Sequence, residues 1–329
     1  MRKSSNSILK IATSPLLSRA RAKCRSFSVL GHISEDLLVS SSIGHQIGGD
    51  SQTALVDSLV KTNVVTAGSR LEAALRCVDR ADFVAPAFRE SADRYANLPL
   101  KIGTVATIST PQQHALVLGQ LERHLQPGMT AVDIGCGSGI LVGVMVHLLG
   151  PSGFVTGVDI VPELVTFSRE NLQRSLGKEV ADRQTKILLS SGRKEIGIPF
   201  RVQYDCIHVG VAVETKAEAE LFLDYLKPGG GLLIPIGAAG ALQKLVKMTK
   251  SADGTVDSQD IMSVLCQPLL DSIPVVHETR SDKLKRVEMV LTQWRTDFET
   301  KNGRKPTRND LTDDSYAKML FKEFAVLRK

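Results

Sequence analysis

Residues 129–143 read MTAVDIGCGSGILVG, and residues 153–160 read GFVTGVDI. Each holds a short apolar run closed by a carboxylate, Asp133 in the first and Asp159 in the second. The first run passes through a glycine turn into an apolar stretch of helical length. A strand feeding a helix through glycines is the opening unit of a parallel α/β sheet. The same texture recurs as TKILLSS (185–191), YDCIHVG (204–210) and GGLLIPIG (230–237), with the helix-length stretches Ile140–Leu149 and Pro162–Leu176 between them. The expected fold is therefore α/β, a doubly wound Rossmann-like sheet over residues 129–275.

The glycine turn narrows the ligand. Gly135, Gly137 and Gly139 form GxGxG, but Ile140 follows where a dinucleotide fingerprint calls for Gly or Ala. Asp133, two residues ahead of Gly135, would repel a phosphate and attract a cationic amino-acid end. Asp159 closes the next strand, where a carboxylate can take both hydroxyls of a ribose; its competing role is a helix N-cap ahead of Pro162. Together these features fit S-adenosyl-L-methionine better than NAD.

Upstream, residues 52–79 carry helical spacing: Leu55, Leu59 and Val60, then Leu71, Ala74, Leu75 and Val78. Two amphipathic helices follow from it. Pro86 and Pro99 punctuate an irregular stretch to Gly103. Pro111 then opens a helix through His114, Leu118 and Leu121, stopped at Pro127-Gly128. Between them, 104–115 reads TVATISTPQQHA, unusually rich in hydroxyls. From the residues alone, capping ahead of Pro111 is the simpler role for Thr107, Ser109 and Thr110.

Charge is unevenly placed. The 329-residue chain is +6, yet residues 1–31 hold seven basic side chains and no acid, and 279–329 hold thirteen basic against eight acidic. The body, 32–278, is left at −6, which argues against a nucleic-acid footprint there. No apolar run approaches the roughly 18 residues of a membrane span. The five cysteines show no CxxC and no clustering with histidine, so neither a metal site nor a disulfide framework is expected, and a reducing compartment is. The Arg- and Ser-rich segment 1–31 has the composition of an organellar transit peptide, pointing to the mitochondrion; the alternative is a disordered basic tail on a cytoplasmic protein. At the other end, Leu284, Val287, Leu291, Trp294 and Phe298 form one apolar stripe, Gly303 and Pro306 end it, and Thr307 with Asp310 resembles a capping box. A helical hairpin is expected over 279–329, docked on its own domain or offered to a protein partner.

VDIGCGSGILVG, VTGVDIVPELV, YDCIHVG and LKPGGGLLIPIG resemble the protein-L-isoaspartate (D-aspartate) O-methyltransferases, and YANLPLKIGTVATISTPQQHA resembles the signature preceding that family's cofactor loop. The glycine loop is common to class I methyltransferases; the ATIS stretch is far more specific. The resemblance covers about residues 52–270, within a methyltransferase-like domain of 52–275 with N-terminal helices. It implies S-adenosyl-L-methionine-dependent methyl esterification of the free carboxylate of isoaspartyl and D-aspartyl residues in damaged proteins and peptides, after which the ester collapses to a succinimide that hydrolyses in part to normal aspartate. It also implies Ser109 as the active-site serine beside Thr107. Ala106, Ile108, His114, Asp133, the three glycines, Asp159, Ile160, Ser191 and Gly192 would then hold the cofactor. A carboxylate is already ionised near pH 7, so no general base is needed.

The chain departs from the family pattern at Ser190-Ser191-Gly192, where the family has GDG, at Gln112 in place of a histidine, and at Pro268-Leu269-Leu270 in place of PLT. These departures motivate an alternative, a weak or inactive module that binds cofactor and isoaspartyl termini and acts through its C-terminal hairpin. A base N-methyltransferase is disfavoured, because HVGVAV lacks the [N/D]PP[Y/F/W] motif after the fourth strand. No GxSxG elbow supports a nucleophilic serine, and Cys136 in the loop is expected to pack.

Overall fold

The structure is a computed structural model that describes residues 44–103, 106–192, 203–271, 280–313 and 315–328. The basic segment 1–31, with Thr104 and Val105 of the hydroxyl-rich stretch, lies outside the described residues. The chain divides into two compact units, one through Ile273 and one from Pro274.

In the first unit, helix α1 (Gln52–Lys61) starts where the Ser51 side chain accepts the Ala54 N–H. Helix α2 (Arg70–Cys77) starts where Ser69 accepts from Glu72. They bury Leu55, Val56 and Leu59, and Leu71, Ala74 and Leu75; the spacing predicts all of these but Val56, and Val60, which it names instead, is half-buried. Strands β1 (Leu100–Lys101) and β2 (Thr107–Ile108) form a small antiparallel hairpin. Helix α3 (Pro111–Leu121) follows, with proline in its first turn.

Seven strands then build the main sheet: β3 (Thr130–Ile134), β4 (Phe154–Asp159), β5 (Thr185–Leu189), β6 (Tyr204–Val209), β7 (Leu226–Ile236), β8 (Gln243–Lys250) and β9 (Val256–Val264). Their order is β5-β4-β3-β6-β7-β8-β9. The five strands read from the sequence, β3 to β7, are mutually parallel. The antiparallel pair β8–β9 extends the sheet beyond them. Helix α4 (Ile140–Leu149) joins β3 to β4, with bounds matching the predicted stretch; α5 (Pro162–Leu176) and α6 (Lys178–Gln184) join β4 to β5; α7 (Lys216–Glu220) lies between β6 and β7. Nearly every residue of α4 is buried, as a helix apolar all round requires.

Chain order reverses at β3, which pairs with β4 on one side and β6 on the other. A doubly wound sheet opens its ligand crevice at this switch point, beyond the carboxyl ends of the strands. Asp133 is in register there with both His208 and Gly157.

The second unit is helical: α8 (Arg280–Asn302), α9 (Arg308–Asp313) and α10 (Ser315–Leu327). Gly303, at φ +65°, ends α8 in the left-handed conformation glycine adopts freely. The Thr307 N–H and hydroxyl both donate to Asp310, whose carboxylate also takes both terminal nitrogens of Arg304. This realises the capping box and, with the Arg304 pair, holds the Asp310 carboxyl well below the usual carboxylate range. Arg280 at the start of α8 donates to the Leu327 carbonyl at the end of α10, so the two helices run antiparallel.

Candidate active site

A pocket opens at the switch point, with about 660 Å³ of space once the open solvent at its mouth is included. Its walls come from β2 and the residues after it (Thr107, Ile108, Ser109), from α3 (Gln113, His114), from β3 and the glycine loop (Asp133, Gly135, Gly137), and from β6 (His208).

The glycine loop is rigidly satisfied. Gly135 and Cys136 both donate to the Val158 carbonyl at 2.8 and 3.0 Å, and Gly139 donates to the Cys136 carbonyl at 2.8 Å. The Gly137 N–H donates to Asp159 Oδ2 at 2.9 Å. All three glycines have positive φ, +78°, +53° and +84°, and a Cβ on Gly135 would sit 3.0 Å from Val211 Cγ1. With these four amides engaged, a phosphate would find them spent and two carboxylates close by. The loop is a surface for close approach rather than an oxyanion cradle.

Asp133 is 1 % exposed, and its Oδ1 accepts the Nδ1–H of His208, 6 % exposed, at 2.7 Å. A carboxylate oxygen accepts, so the pairing assigns the ring proton to Nδ1. Asp159 lies beneath the loop: one oxygen takes Gly137 and the other takes the Val161 N–H at 3.0 Å. The N-cap of α5 is Val161, without a side-chain cap, so Asp159 braces the loop instead of capping that helix. Burial pushes its carboxyl above the usual range; the Val161 and Gly137 N–H groups pull the other way, and the nearby Asp133 charge adds to the rise. Of the two carboxylates, Asp133 lines the pocket, and a buried carboxylate there suits a cationic group. The residues therefore fit a ligand with an ammonium and a sulfonium group, and S-adenosyl-L-methionine carries both.

The hydroxyls divide by task. Thr110 is the N-cap of α3, its Oγ1 accepting the Gln113 N–H at 3.1 Å. Ser109 and Thr107, half-buried, line the pocket, and the Ser109 hydroxyl makes no hydrogen bond among the described residues. His114, on the first turns of α3, is 9 % exposed. Burial, with Arg80 and His208 nearby, holds its imidazole well below its usual range, so it is neutral at pH 7. Cys136 packs against Gly157, and burial pushes its thiol up, away from nucleophilic use.

The remaining candidates, Ala106, Gly139, Ile160, Ser191 and Gly192, are not among the residues lining this pocket, and neither is Asp159. Ala106 accepts the Ile102 N–H as β1–β2 turns. Gly139, ahead of α4, is pressed by Ser168. Ile160 follows Asp159 at the end of β4. Ser191 and Gly192 follow β5 and are buried, with Gly192 close enough to Ile134 that only glycine fits. Gln112 stands outside the pocket: its backbone N–H and side-chain oxygen pair with Asn97, whose amide also reaches the Gly44 carbonyl. Leu270 follows a segment where Pro268 bridges to Ala212. His208 is the functional candidate that the sequence reading missed. Its signal was its level in YDCIHVG: aligning the carboxyl ends of the central strands puts it beside Asp133.

The profile of the family described as Protein-L-isoaspartate(D-aspartate) O-methyltransferase (PCMT) matches residues 50–273. The chain is 38 % identical over 221 residues to a protein-L-isoaspartate O-methyltransferase of Triticum aestivum, covering 67 % of this chain and 91 % of the relative. It is 32 % identical to that of Caenorhabditis elegans, covering 67 % and 93 %. A Plasmodium falciparum protein assigned to the same activity, crystallised in complex with S-adenosyl-L-homocysteine, superposes with a TM-score of 0.58 at 27 % identity, covering 68 % of this chain and 100 % of that one. The glycine loop between two buried carboxylates, the ATIS hydroxyls facing it and these likenesses agree: the chain belongs to the protein-L-isoaspartate (D-aspartate) O-methyltransferase family.

Proposed function

We propose that Ser109 and Thr107 orient the acceptor carboxylate in this S-adenosyl-L-methionine-dependent enzyme, which methyl-esterifies isoaspartyl residues of damaged proteins. The observation that carries the assignment is the Ser109 hydroxyl, without a hydrogen bond among the described residues, in the same pocket as Asp133 and the glycine loop. When bound, the cofactor supplies an electrophilic methyl on a sulfonium centre. The acceptor is ionised at neutral pH, so the protein has only to align an oxygen and exclude water. A small hydroxyl can donate to one carboxylate oxygen without competing as a nucleophile. Asp133 serves the cofactor's ammonium end, and Gly135, Gly137 and Gly139 let its chain approach the backbone. Asp159 and Ile160 serve the ribose side, Ser191 and Gly192 the adenine side, and Ala106, Ile108 and His114 the wall facing the acceptor. Neutral Ser191 adds no charge near adenine, which favours weaker cofactor binding than an aspartate would give.

Paired peptides test this reading. Label from S-adenosyl-L-methionine should pass to an isoaspartyl peptide and not to its aspartyl twin, and Ser109→Ala should depress kcat. Equal labelling of both peptides would defeat it. We also propose a mitochondrial location, on the Arg- and Ser-rich, acid-free composition of 1–31; the mass of the native N-terminus tests for cleavage of that segment.

A further inference from the structure

A carboxylate at the floor of a cofactor pocket is useful only if it points the right way. Asp133 is almost wholly withdrawn from water, where an unpaired charge is strongly disfavoured. Among the described residues its side chain has one hydrogen-bond donor, His208 Nδ1, at 2.7 Å. That imidazole stands close beside its neighbours. It stands in register with Asp133 across the β3–β6 ladder, and a Cβ on Gly210 would lie 3.4 Å from its Cε1. Gly210 in turn is tied to the Ile134 carbonyl at 2.7 Å. Strand register thus brings carboxylate and ring together as one hydrogen-bonded pair, with both side chains lining the pocket.

We infer that His208 is a positioning residue for the cofactor: by donating to Oδ1 it holds the Asp133 carboxylate in place and turns Oδ2 toward the ligand's ammonium group. The inference rests on the assignment of Asp133 made under the proposed function. It predicts a specific geometry, because only a donor at the Nδ1 position can replace the histidine. Asparagine places its amide nitrogen near Nδ1; glutamine places its amide near Nε2, and leucine offers no donor.

Calorimetric titration of the full chain with S-adenosyl-L-homocysteine decides it, with steady-state KM for cofactor and for isoaspartyl peptide measured alongside. His208→Leu should weaken binding about 10- to 100-fold, the range of one hydrogen bond to a charged group. The cofactor KM should rise with it, while the peptide KM changes less than about twofold. His208→Asn should return binding to within about threefold of the parent, and His208→Gln should not. If the leucine variant does not fold, the asparagine–glutamine pair carries the test alone. Equal affinity in those two, or parental affinity in the leucine variant, overturns the inference while leaving the cofactor assignment standing. A parent chain that binds no S-adenosyl-L-homocysteine overturns both.

Discussion

Gly157 sits mid-strand in β4, where glycine weakens a sheet and needs a reason. An alanine Cβ there would lie 2.5 Å from Ile187 Cδ1, 3.1 Å from Cys136 Sγ and 3.3 Å from Val142 Cγ2. Carbon pairs rest near 3.5–4.0 Å, so Ile187 must retreat by about 1 Å, and at 4 % exposure it has little room. Gly157→Ala should therefore destabilise the unit by about 1–3 kcal/mol, the usual range for overpacking. Ile187→Val removes the offending Cδ1 and by itself should cost about 0.5–1.5 kcal/mol. Together the two changes should cost at least about 1 kcal/mol less than their sum, because the clash that one creates the other removes. The double variant should still fall short of the parent, since Cys136 and Val142 stay in place. Cys136 belongs to the glycine loop, so Gly157→Ala should also raise the KM for S-adenosyl-L-methionine, and the second change should lower it again. Urea unfolding of the four proteins gives the cycle. Additivity within about 0.5 kcal/mol, the expectation for uncoupled sites, would refute the steric argument.

Neighbouring hydroxyls should separate by assay: Thr110→Ala should lose about 1 kcal/mol of stability, the value of an N-cap, with peptide KM unchanged, whereas Ser109→Ala should depress kcat with the melting temperature kept. Gly231→Ala should cost more than Gly157→Ala in urea unfolding, because its Cβ would meet the rigid His124 ring, 2.7 Å from Nε2 and 2.8 Å from Cγ, and that ring is tethered to the Gly229 carbonyl. Acid should loosen the fold. Burial holds His114 and His124 below the usual imidazole range, so the unfolded chain takes up protons first as pH falls below about 6.5. Stability is thus full above that pH and declines beneath it, by about 1.4 kcal/mol at pH 5.5 for each imidazole that stays neutral in the fold. Thermal melts from pH 7.5 to 5.5 check this, and replacing His124 by Gln should flatten the slope; an unchanged slope would contradict it.

The central parallel strands β3, β4 and β6 were legible because burial on both faces leaves unbroken apolar runs, and the helices α4 and α5 because glycine and proline mark their starts. The pair β8–β9 was not. QKLVKMTK alternates weakly, and VDSQDIMSV lies at the sheet edge with most of its side chains in water, so neither carries the apolar signature. Within the site, Asp133 and the glycines could be read from spacing alone. The double duty of Asp159, bracing Gly137 and Val161 at once, depends on how β4 passes under the loop, which no linear spacing encodes. Thr110 and Ser109 are adjacent and chemically alike, and the helix start at Pro111, legible in the sequence, makes Thr110 the cap.

The sheet's topology does not by itself choose between phosphate and sulfonium ligands; the same strand–glycine–helix corner serves both. What decides is where the loop amides point. In a phosphate cradle they face the ligand, and the helix N-terminus supplies partial positive charge. Here Gly135, Cys136 and Gly139 turn inward to carbonyls of the fold, and Gly137 turns to a carboxylate. The corner keeps its shape with these four amides engaged, while Asp133 and Asp159 lie within electrostatic reach of each other. Replacing Asp159 should therefore do more than remove a ligand contact. It would free the Gly137 amide, and the loop would become better suited to an anion at the moment it became worse suited to a sulfonium.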